Sequence, residues 1–378
     1  MTITIDCRQI DSSGVGVYIR ECLPLFLESP HLFQLLGNPE KLEYLGPKEK
    51  KNVRIYACHI KPFSLKELFF FPRKLLKIIN SAHLYYSPFF NIPGGIKVPV
   101  FTTIHDIIFP DMPELSSKIG LFIRMWFYKR AGKKSKTIFT VSEFSKSRIQ
   151  HYLGRDKRVI VSYSAIQSYI AKSAVLNGDT AAKKNKSIIF IGNIKKHKGL
   201  STLLEAFYQA RKEGLDYVLI IVGSKDDFRS SDRESLSRIE DAEKGSVRFT
   251  GYISNEALLD FIVSAALLVQ ASLYEGFCLP PLEAMMLGTA ALISDIPVLK
   301  EIYADCPAGG VLPGKPYPVT FFKAGSAADL KNKLMELLYD KPFITIRLDE
   351  ELRGRYTFKK TAAIIVQEWN TVQEGKNA

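Results

Sequence analysis

The chain has 378 residues, of which 46% are hydrophobic and 24% charged, and it carries a formal net charge of +13. This composition is typical of a soluble globular protein, and the length exceeds one ordinary core, so two domains are expected. The five cysteines are scattered without a CxxC pair, which argues against a disulfide framework and a cysteine-based zinc site. Neither a signal peptide nor a membrane-spanning helix is predicted.

The positive charge is concentrated in the first half of the chain. Residues 1–170 contain 25 Lys and Arg against 13 Asp and Glu, whereas the remainder contains 27 against 26. This asymmetry favours an anionic partner for the first half, such as a membrane surface, nucleic acid or acidic substrate. A basic solvated surface without a partner would give the same count.

Short apolar segments alternate with helical patterns throughout the chain. This alternation predicts parallel, doubly wound sheets, and the polar stretch 171–187 predicts a linker between two such domains. Ligands of these sheets bind beyond the carboxyl ends of the strands, so we expect the site in the cleft between the domains. The predicted strands are TITIDC, VRIYAC, HLYYSP, VPVFTTIHD, TIFTVS and RVIVSY, followed by SIIFIGN, YVLIIVGS, VRFTGY, LLVQAS and AALISD.

Three strand-to-helix segments carry candidate binding groups. FIGNIKKHKGL combines a turn at Gly192 with a run of cations at a helix mouth, where backbone amides favour an anion. GVG at 14–16 would let backbone approach a ligand closely. TTIHD places His105 and Asp106 at the carboxyl end of a strand. Each signal alone is weak, because solvated basic loops and structural histidines are commoner than binding sites.

The stretch SLYEGFCLPPLEAMMLG holds two glutamates eight residues apart, Glu275 in a loop and Glu283 in the following helix. Each carboxylate could accept a hydrogen bond from a sugar hydroxyl while the helix mouth holds a phosphate. The alternative is that Glu283 only caps its helix and that Glu275 is only a solvated residue of the loop.

Together these segments resemble the retaining glycosyltransferases of family 4, and E-x7-E from Glu275 to Glu283 matches the family's signature. The resemblance runs in order along essentially the whole chain, from IDCRQIDSSGVGVYIRE through TIFTVSEFSKSRI and FIGNIKKHKGLSTLLEAF to ALISDIPVLKEI. It implies the GT-B fold, in which two Rossmann-like domains face each other across a cleft. The implied parts are an acceptor-side domain over 1–168, a nucleotide-sugar-binding domain over 169–356 and a C-terminal helix over 357–378 that returns to the N-terminal domain.

The resemblance also implies roles for individual residues. Glu275 would hold hydroxyls of the donor sugar, Lys198 would neutralise the donor diphosphate, and His105 would lie beside the reacting sugar; these three are the catalytic candidates. No metal or other cofactor is expected, in agreement with the absence of a D-x-D triplet. The implied donor-binding residues are Gly16, Gly192, Asn193, His197, Lys198, Tyr252, Glu275, Gly276, Phe277, Cys278, Leu279 and Glu283, with Gly14 and Asp106 near the acceptor.

Two positions depart from the family pattern. Asn193 stands where the family often has an arginine on the diphosphate, so His197 or Lys196 would supply that charge. Cys278 stands where the family usually has a second loop glycine, which leaves the donor sugar open among mannose, rhamnose and glucose. The loop GNIKKHKG is similar to loops of bacterial polysaccharide mannosyl- and rhamnosyltransferases, which favours the first two sugars.

Basic and apolar residues are interleaved over 60–80, where Phe69, Phe70 and Phe71 follow one another, and 129–136 adds five cations. Such interleaving is typical of a membrane surface, although core phenylalanines beside solvated lysines would look the same. We therefore expect a cytoplasmic hexosyltransferase, peripheral on the inner face of the plasma membrane, that acts on a saccharide or lipid-linked saccharide for cell-surface glycans. The alternatives are another GT-B enzyme, such as a sugar-nucleotide epimerase, and a non-catalytic basic membrane-binding module. No nucleic-acid-binding motif is present.

Overall fold

The structure is a computed structural model that describes residues 1–12, 14–46, 51–176, 184–223, 245–303, 319–341 and 354–377. The chain divides into two compact units. The first comprises Met1–Gln167 and Tyr356–Ala378, and the second comprises Ser168–Arg355. Each unit contains one parallel sheet with helices between successive strands.

The first unit contains a seven-stranded sheet in the order β3-β2-β1-β4-β5-β6-β7, with every recorded pairing parallel. The strand order reverses direction between β1 and β4, and ligands of open parallel sheets bind beyond the strands at such a reversal. The strands are β1 Thr2–Asp6, β2 Leu32–Gly37, β3 Val53–Ala57, β4 Leu84–Ser87, β5 Val100–Thr103, β6 Ser135–Thr140 and β7 Val159–Val161. The helices are α1 Gly14–Phe26, α2 Pro39–Leu42, α3 Leu65–Phe69, α4 Arg73–Asn80, α5 Ile108–Asp111, α6 Lys118–Lys134 and α7 Glu143–Leu153.

The second unit contains a six-stranded parallel sheet in the order β10-β9-β8-β11-β12-β13, which reverses direction between β8 and β11. Its strands are β8 Ser187–Ile191, β9 Val218–Val222, β10 Val247–Phe249, β11 Leu267–Gln270, β12 Ala291–Ser294 and β13 Val319–Phe322. Its described helices are α8 Ser168–Leu176, α9 Leu200–Lys212, α10 Asn255–Ser264, α11 Pro280–Met286, α12 Pro297–Tyr303 and α13 Ala327–Leu338.

The last helix, α14 (Phe358–Asn377), packs within the first unit against α1. Trp369 is fully buried, with its ring 4.8 Å from that of Phe26 and 5.2 Å from that of Tyr86. Next to it, Glu368 accepts hydrogen bonds from Arg158 and from Thr137. The buried apolar residues of α14 stand at helical spacing and face the core of the N-terminal unit, because burying that stripe removes a large apolar area from water.

The structure corrects the sequence prediction in three places. Strands β2 (LFQLLG) and β13 (VTFF) are absent from the sequence prediction: β2 follows a helix after a short turn, and β13 follows residues 304–318, whose sequence has no clear apolar period. The predicted linker 171–187 is wrong at its start, because α8 continues to Leu176 with Ile170 and Ala174 buried one turn apart. The part of the linker at 177–183 lies outside the described residues.

Helices long and apolar enough to cross a bilayer are absent from the part of the chain that the structure describes.

Candidate active site

Two loops meet at the carboxyl ends of β8 and β11, where the sheet of the second unit reverses. The amide of Leu273 donates to the carbonyl of His197 at 2.7 Å, which joins the loop after β11 to the loop after β8. Gly199 has φ +67, and a Cβ there would lie 1.9 Å from the carbonyl oxygen of Ala271. The loops are therefore in contact through their backbones, and only glycine allows this approach.

This contact brings Lys198 and Glu275 together as an ion pair. The ammonium of Lys198 donates to both carboxylate oxygens of Glu275, at 2.7 and 2.8 Å. The side chain of Glu275 is 9% exposed and that of Lys198 is 22% exposed, so the pair is buried on the carboxylate side and reaches water on the ammonium side. Two residues predicted to hold different parts of one ligand are thus in direct contact.

The carboxylate of Glu275 is kept ionised by its neighbours. Burial alone would raise its pKa, but the charge and hydrogen bonds of Lys198 and the hydroxyl of Ser272, 2.6 Å away, hold the pKa below its ordinary value. The side-chain amide of Gln270 in turn donates to the Ser272 hydroxyl at 2.7 Å. Glu275 is therefore a pre-oriented hydrogen-bond acceptor rather than a proton donor near neutral pH.

Cys278 adopts a left-handed backbone with φ +76, a conformation that a residue with a side chain occupies at a cost. It is buried, and its carbonyl accepts a hydrogen bond from the hydroxyl of Tyr303 at the end of α12. Burial, together with the charge of Glu275, raises the pKa of the thiol well above its usual value, so the sulfur is neutral and a poor nucleophile. The departure from glycine thus keeps a glycine-like backbone.

The other predicted residues of the second unit lie on the same loops or beside them. Burial and the adjacent Lys198 charge lower the pKa of His197 to about 4, so its imidazole is uncharged near neutral pH. Of the two residues considered as a second cation, Lys196 is therefore the charged one, and it is exposed. Glu283 is buried within α11, one turn from its start, and Tyr252 is 90% exposed after β10.

Gly192 and Asn193 follow β8 directly, with Gly192 at φ +153, and Gly276, Phe277 and Leu279 complete the loop before α11. Around these residues, and elsewhere in the described part of the chain, no cluster of His, Cys, Asp and Glu has the composition of a metal site.

The remaining predicted residues belong to the first unit. His105 follows β5, and its Nε2 lies 3.0 Å from the carbonyl of Pro88; burial lowers the pKa of His105 to about 4. The imidazole is thus neutral and donates from Nε2, which leaves Nδ1 as an acceptor. Asp106 accepts the amide hydrogen of Ile108 at 3.2 Å.

The two glycines of the GVG segment differ in their surroundings. A Cβ on Gly16 would lie 2.4 Å from the carbonyl oxygen of Ile10, whereas a Cβ on Gly14 would meet nothing within 4 Å. Gly16 is therefore required for α1 to pack on its own chain, whether or not a ligand also approaches it. Gly14, at the first position of α1, is under no such packing constraint.

A buried charge network that the sequence prediction missed lies at the reversal point of the first sheet. The guanidinium of Arg8 pairs with Asp6 and with Glu67, each at 2.5 Å, and all three side chains are almost fully buried. Asn91 donates to both carboxylates, and the Tyr85 hydroxyl donates to Asp6. The only sequence signal was an acidic residue at the end of β1; Glu67 comes from a distant helix that no local pattern connects to it.

Two units that each contain a parallel sheet with a strand-order reversal define the class of doubly wound α/β proteins, whose ligands bind beyond the strands at that reversal. Residues 176–351, nearly the whole second unit, match the family model of glycosyl transferases group 1. The match covers 176 of the 378 residues, slightly less than half of the chain, and it bears out the resemblance to glycosyltransferases found in the sequence.

Curated relatives are bacterial mannosyltransferases. The chain is 29% identical over 233 residues to O-antigen chain mannosyltransferase B of Escherichia coli, covering 59% of this chain and 60% of that protein. It is 32% identical over 209 residues to O-antigen chain mannosyltransferase RfbU of Salmonella typhimurium, covering 54% of each. The chain therefore matches little more than half the length of these relatives.

Solved structures resemble the chain over nearly its full length. Sucrose-phosphate synthase from Thermosynechococcus elongatus superposes with a TM-score of 0.72 at 15% identity, covering 99% of this chain and 100% of that one. Anabaena Alr3699/HepE in complex with UDP and glucose superposes with a TM-score of 0.68 at 16% identity, covering 98% and 100%. The GT-B fold expected from the sequence is confirmed.

Proposed function

We propose that the protein is a retaining hexosyltransferase that moves a sugar from a nucleotide-sugar donor to a saccharide or lipid-linked saccharide during cell-surface glycan synthesis. The observation that carries this proposal is the Lys198–Glu275 pair at the reversal point of the second sheet. The family of the second unit and the mannosyltransferase names of its relatives support it. The alternatives of an epimerase and of a non-catalytic module are not favoured by these findings.

The two side chains of the pair would contact different parts of the donor. Glu275 offers carboxylate oxygens, held in place by Lys198 and Ser272, to hydroxyls of the sugar. The ammonium of Lys198 carries positive charge on the water-exposed side, where a diphosphate would approach. Charge that develops on the departing diphosphate would thereby be stabilised without reorganisation of the site.

Retention of configuration and independence from metal ions are further parts of the proposal. In the resembling family, the leaving diphosphate is stabilised by protein cations and helix amides. The cations Lys196 and Lys198, both on the loop after β8, are in a position in this chain to perform that task. His105, neutral and with Nδ1 as an acceptor, is the proposed partner of the reacting sugar or the acceptor.

Mannose or rhamnose is the proposed sugar, with glucose as the third candidate. The mannosyltransferase names of the relatives favour mannose. HepE was solved with UDP-glucose, which shows that this fold accepts a uridine donor in that protein. Cys278, whose side chain lies beside Glu275 in place of the family's glycine, is the residue of this chain expected to affect the choice of sugar.

The proposed location of the enzyme is the cytoplasm, peripherally bound to an anionic membrane, because a lipid-linked acceptor would be found there. The structure bears on the phenylalanines expected at that surface. Phe69 and Phe70 are 69% and 75% exposed, which supports the proposal, but Phe71 is buried and packs under the guanidinium of Arg8. Of the three phenylalanines, Phe71 is therefore not available for contact with a membrane.

The test is a panel of nucleotide sugars with thermal shift and release of free nucleotide as readouts. One donor should stabilise the protein and be hydrolysed slowly or transferred to an added saccharide. Glu275→Gln should bind that donor's nucleotide but lose most turnover, corresponding to about 1.5–3 kcal/mol for a lost charged hydrogen bond. The matched control is Glu256→Gln on the exposed surface of α10, which should behave as wild type.

Two results would contradict the proposal. One is a wild-type protein that binds and turns over no nucleotide sugar of the panel. The other is nearly normal turnover in Glu275→Gln, which would remove Glu275 from the reaction. An epimerised nucleotide sugar as the product would instead favour the epimerase alternative.

A further inference from the structure

Helix α6 carries a stripe of large apolar residues that faces water. Ile119, Phe122, Ile123 and Trp126 stand at helical spacing i, i+3, i+4 and i+7, and they are 74%, 73%, 49% and 44% exposed. Because residues at this spacing share one face of a helix, the four side chains form one continuous ridge. An amphipathic helix of a soluble domain normally turns such a ridge to the core, whereas α6 exposes it.

A second exposed apolar group lies on α3, and the residue Phe63 just before this helix contacts α6. Leu65, Phe69 and Phe70, in and just after α3, are 69–75% exposed. Phe63, just before α3, packs edge-on against Phe127 of α6 with ring centroids 5.0 Å apart. Both groups thus lie on neighbouring segments of one unit.

Loop 92–94 lies between α3 and α6 and is hydrogen-bonded to both helices. Arg130 of α6 donates to the carbonyls of Ile92 and Pro93, and the amide of Gly94 donates to the carbonyl of Glu67 in α3. These hydrogen bonds and the Phe63–Phe127 contact fix the positions of α3 and α6. We call the seven exposed residues on and beside the two helices the apolar ridge.

The charge around the apolar ridge is strongly positive. Residues 60–136 contain 13 Lys and Arg against four Asp and Glu, and one of those four, Glu67, is buried and paired with Arg8. Exposed cations flank the ridge on α3, α4 and α6: Lys66, Arg73, Lys74, Lys77, Lys118, Lys129 and Lys133. Exposed aromatic and aliphatic side chains surrounded by cations complement the two parts of an anionic lipid surface, its acyl boundary and its headgroups.

We propose that the apolar ridge inserts into the headgroup layer of an anionic bilayer, with α6 lying in the plane of the interface. This deepens the membrane location of the proposed function and rests on it. The sequence prediction placed membrane contact at 60–80 and at the cations of 129–136. The proposed surface keeps Leu65, Phe69 and Phe70 of the first segment and adds the first half of α6, residues 119–126. A protein partner would need no ring of cations, and a second copy of the chain would bring the same positive charge against itself.

Tryptophan fluorescence gives a direct test. The chain has two tryptophans, and Trp369 is fully buried, so Trp126 is the one that can respond to lipid. With vesicles of phosphatidylglycerol and phosphatidylethanolamine at low salt, the emission of Trp126 should shift to the blue and be quenched by brominated acyl chains. Phosphatidylcholine vesicles should give little of either effect.

A double variant on the ridge separates insertion from simple charge attraction. Ile119→Ser with Phe122→Ser should weaken cosedimentation with the anionic vesicles about tenfold or more, and the remaining binding should be abolished by high salt. Leu32→Ser, at a 55% exposed apolar residue at the start of β2, is the matched control and should bind as wild type. Because all three residues are exposed, the melting temperature of each variant should stay close to wild type.

Three outcomes would overturn the proposal. The wild type could ignore anionic vesicles at low salt. The double variant could bind the anionic vesicles as well as the wild type does. It could sediment as a dimer that the double substitution dissociates, which would make the ridge a contact between copies. Release of nucleotide from the donor is measured on the same samples, so a wild type that binds vesicles but hydrolyses no donor refutes the proposed function and leaves the lipid surface standing.

Discussion

Replacing Lys198 by methionine should destabilise the second unit far more than replacing Glu275 by glutamine. In Lys198→Met, a carboxylate that is 9% exposed loses its cation and cannot be hydrated in exchange. Breaking a buried pair in this way costs about 3 kcal/mol of unfolding free energy, at the low end of the usual range because the pair is open to water on one side. In Glu275→Gln, the remaining ammonium is 22% exposed and keeps partial hydration, so about 1 kcal/mol is expected.

The double variant Lys198→Met with Glu275→Gln should recover part of the loss, because no unpaired charge is left. We expect the double variant to be more stable than the sum of the two single effects predicts, by about 1.5 kcal/mol. Its transferase activity should nevertheless stay low, since both donor contacts are gone. Recovery of stability without recovery of turnover separates the structural role of the pair from its chemical role.

The effect of pH gives a second check on the same variants. The lowered pKa of Glu275 means that its ionisation stabilises the wild type above the ordinary carboxyl pKa, and this stabilisation is lost as pH falls through the folded-state pKa. In Lys198→Met, burial without the cation raises the folded-state pKa of Glu275, so protonation relieves the destabilisation. The stability gap between wild type and Lys198→Met should therefore narrow as the pH is lowered.

Urea unfolding followed by two probes measures these differences. Both tryptophans, Trp126 and Trp369, belong to the first unit, so their fluorescence follows that unit, while far-UV circular dichroism follows both. The substitutions should move the dichroism transition of the second unit and leave the fluorescence transition in place. If the two single variants are equally destabilised and their effects add in the double variant, the two side chains do not act as a pair and the reasoning fails.

Cys278→Gly should raise the unfolding free energy by about 0.5–1 kcal/mol, because the left-handed backbone at φ +76 suits glycine, whereas Cys278→Ala should give no gain; urea titration of both variants decides this. Gly199→Ala should lower the unfolding free energy by about 3 kcal/mol and reduce donor binding, since its Cβ would lie 1.9 Å from the Ala271 carbonyl oxygen. A melting temperature equal to that of the wild type would contradict this. Donor hydrolysis in the presence of a chelator should stay close to its level without one, and strict dependence on Mg²⁺ or Mn²⁺ would count against a diphosphate held by Lys198.

Most strands were predictable because a buried parallel strand is a short apolar run of distinctive composition. The strand β13 was not, because four residues after a stretch without clear period do not form such a run. Helix α8 was missed for a related reason: its two buried residues, Ile170 and Ala174, are too few to make a polar segment look amphipathic. In both cases the neighbouring elements, rather than the local sequence, supply the burial that stabilises the element.

The sequence supplied candidate residues for the site but not their arrangement. Glu275 and Lys198 are 77 residues apart, and their contact depends on β8 and β11 being neighbours in the sheet. Sequence patterns do not report strand order, so the ion pair was out of reach. The part of the apolar ridge on α6 was missed because a helical period of apolar residues normally predicts a buried face. Nothing in the local sequence shows that Phe122 faces water.

Cys278 shows what a departure from a family pattern can and cannot change. The sequence shows a side chain where the family usually has glycine, and either a narrower pocket or a different backbone would have followed. The backbone is left-handed, as glycine would allow, and the Tyr303 hydroxyl holds the Cys278 carbonyl in that orientation. Since a neutral buried thiol beside Glu275 contributes little charge, the effect we propose for its side chain is on the volume available to a donor sugar. The identity of the sugar should therefore respond to the size of residue 278 more than to its chemistry.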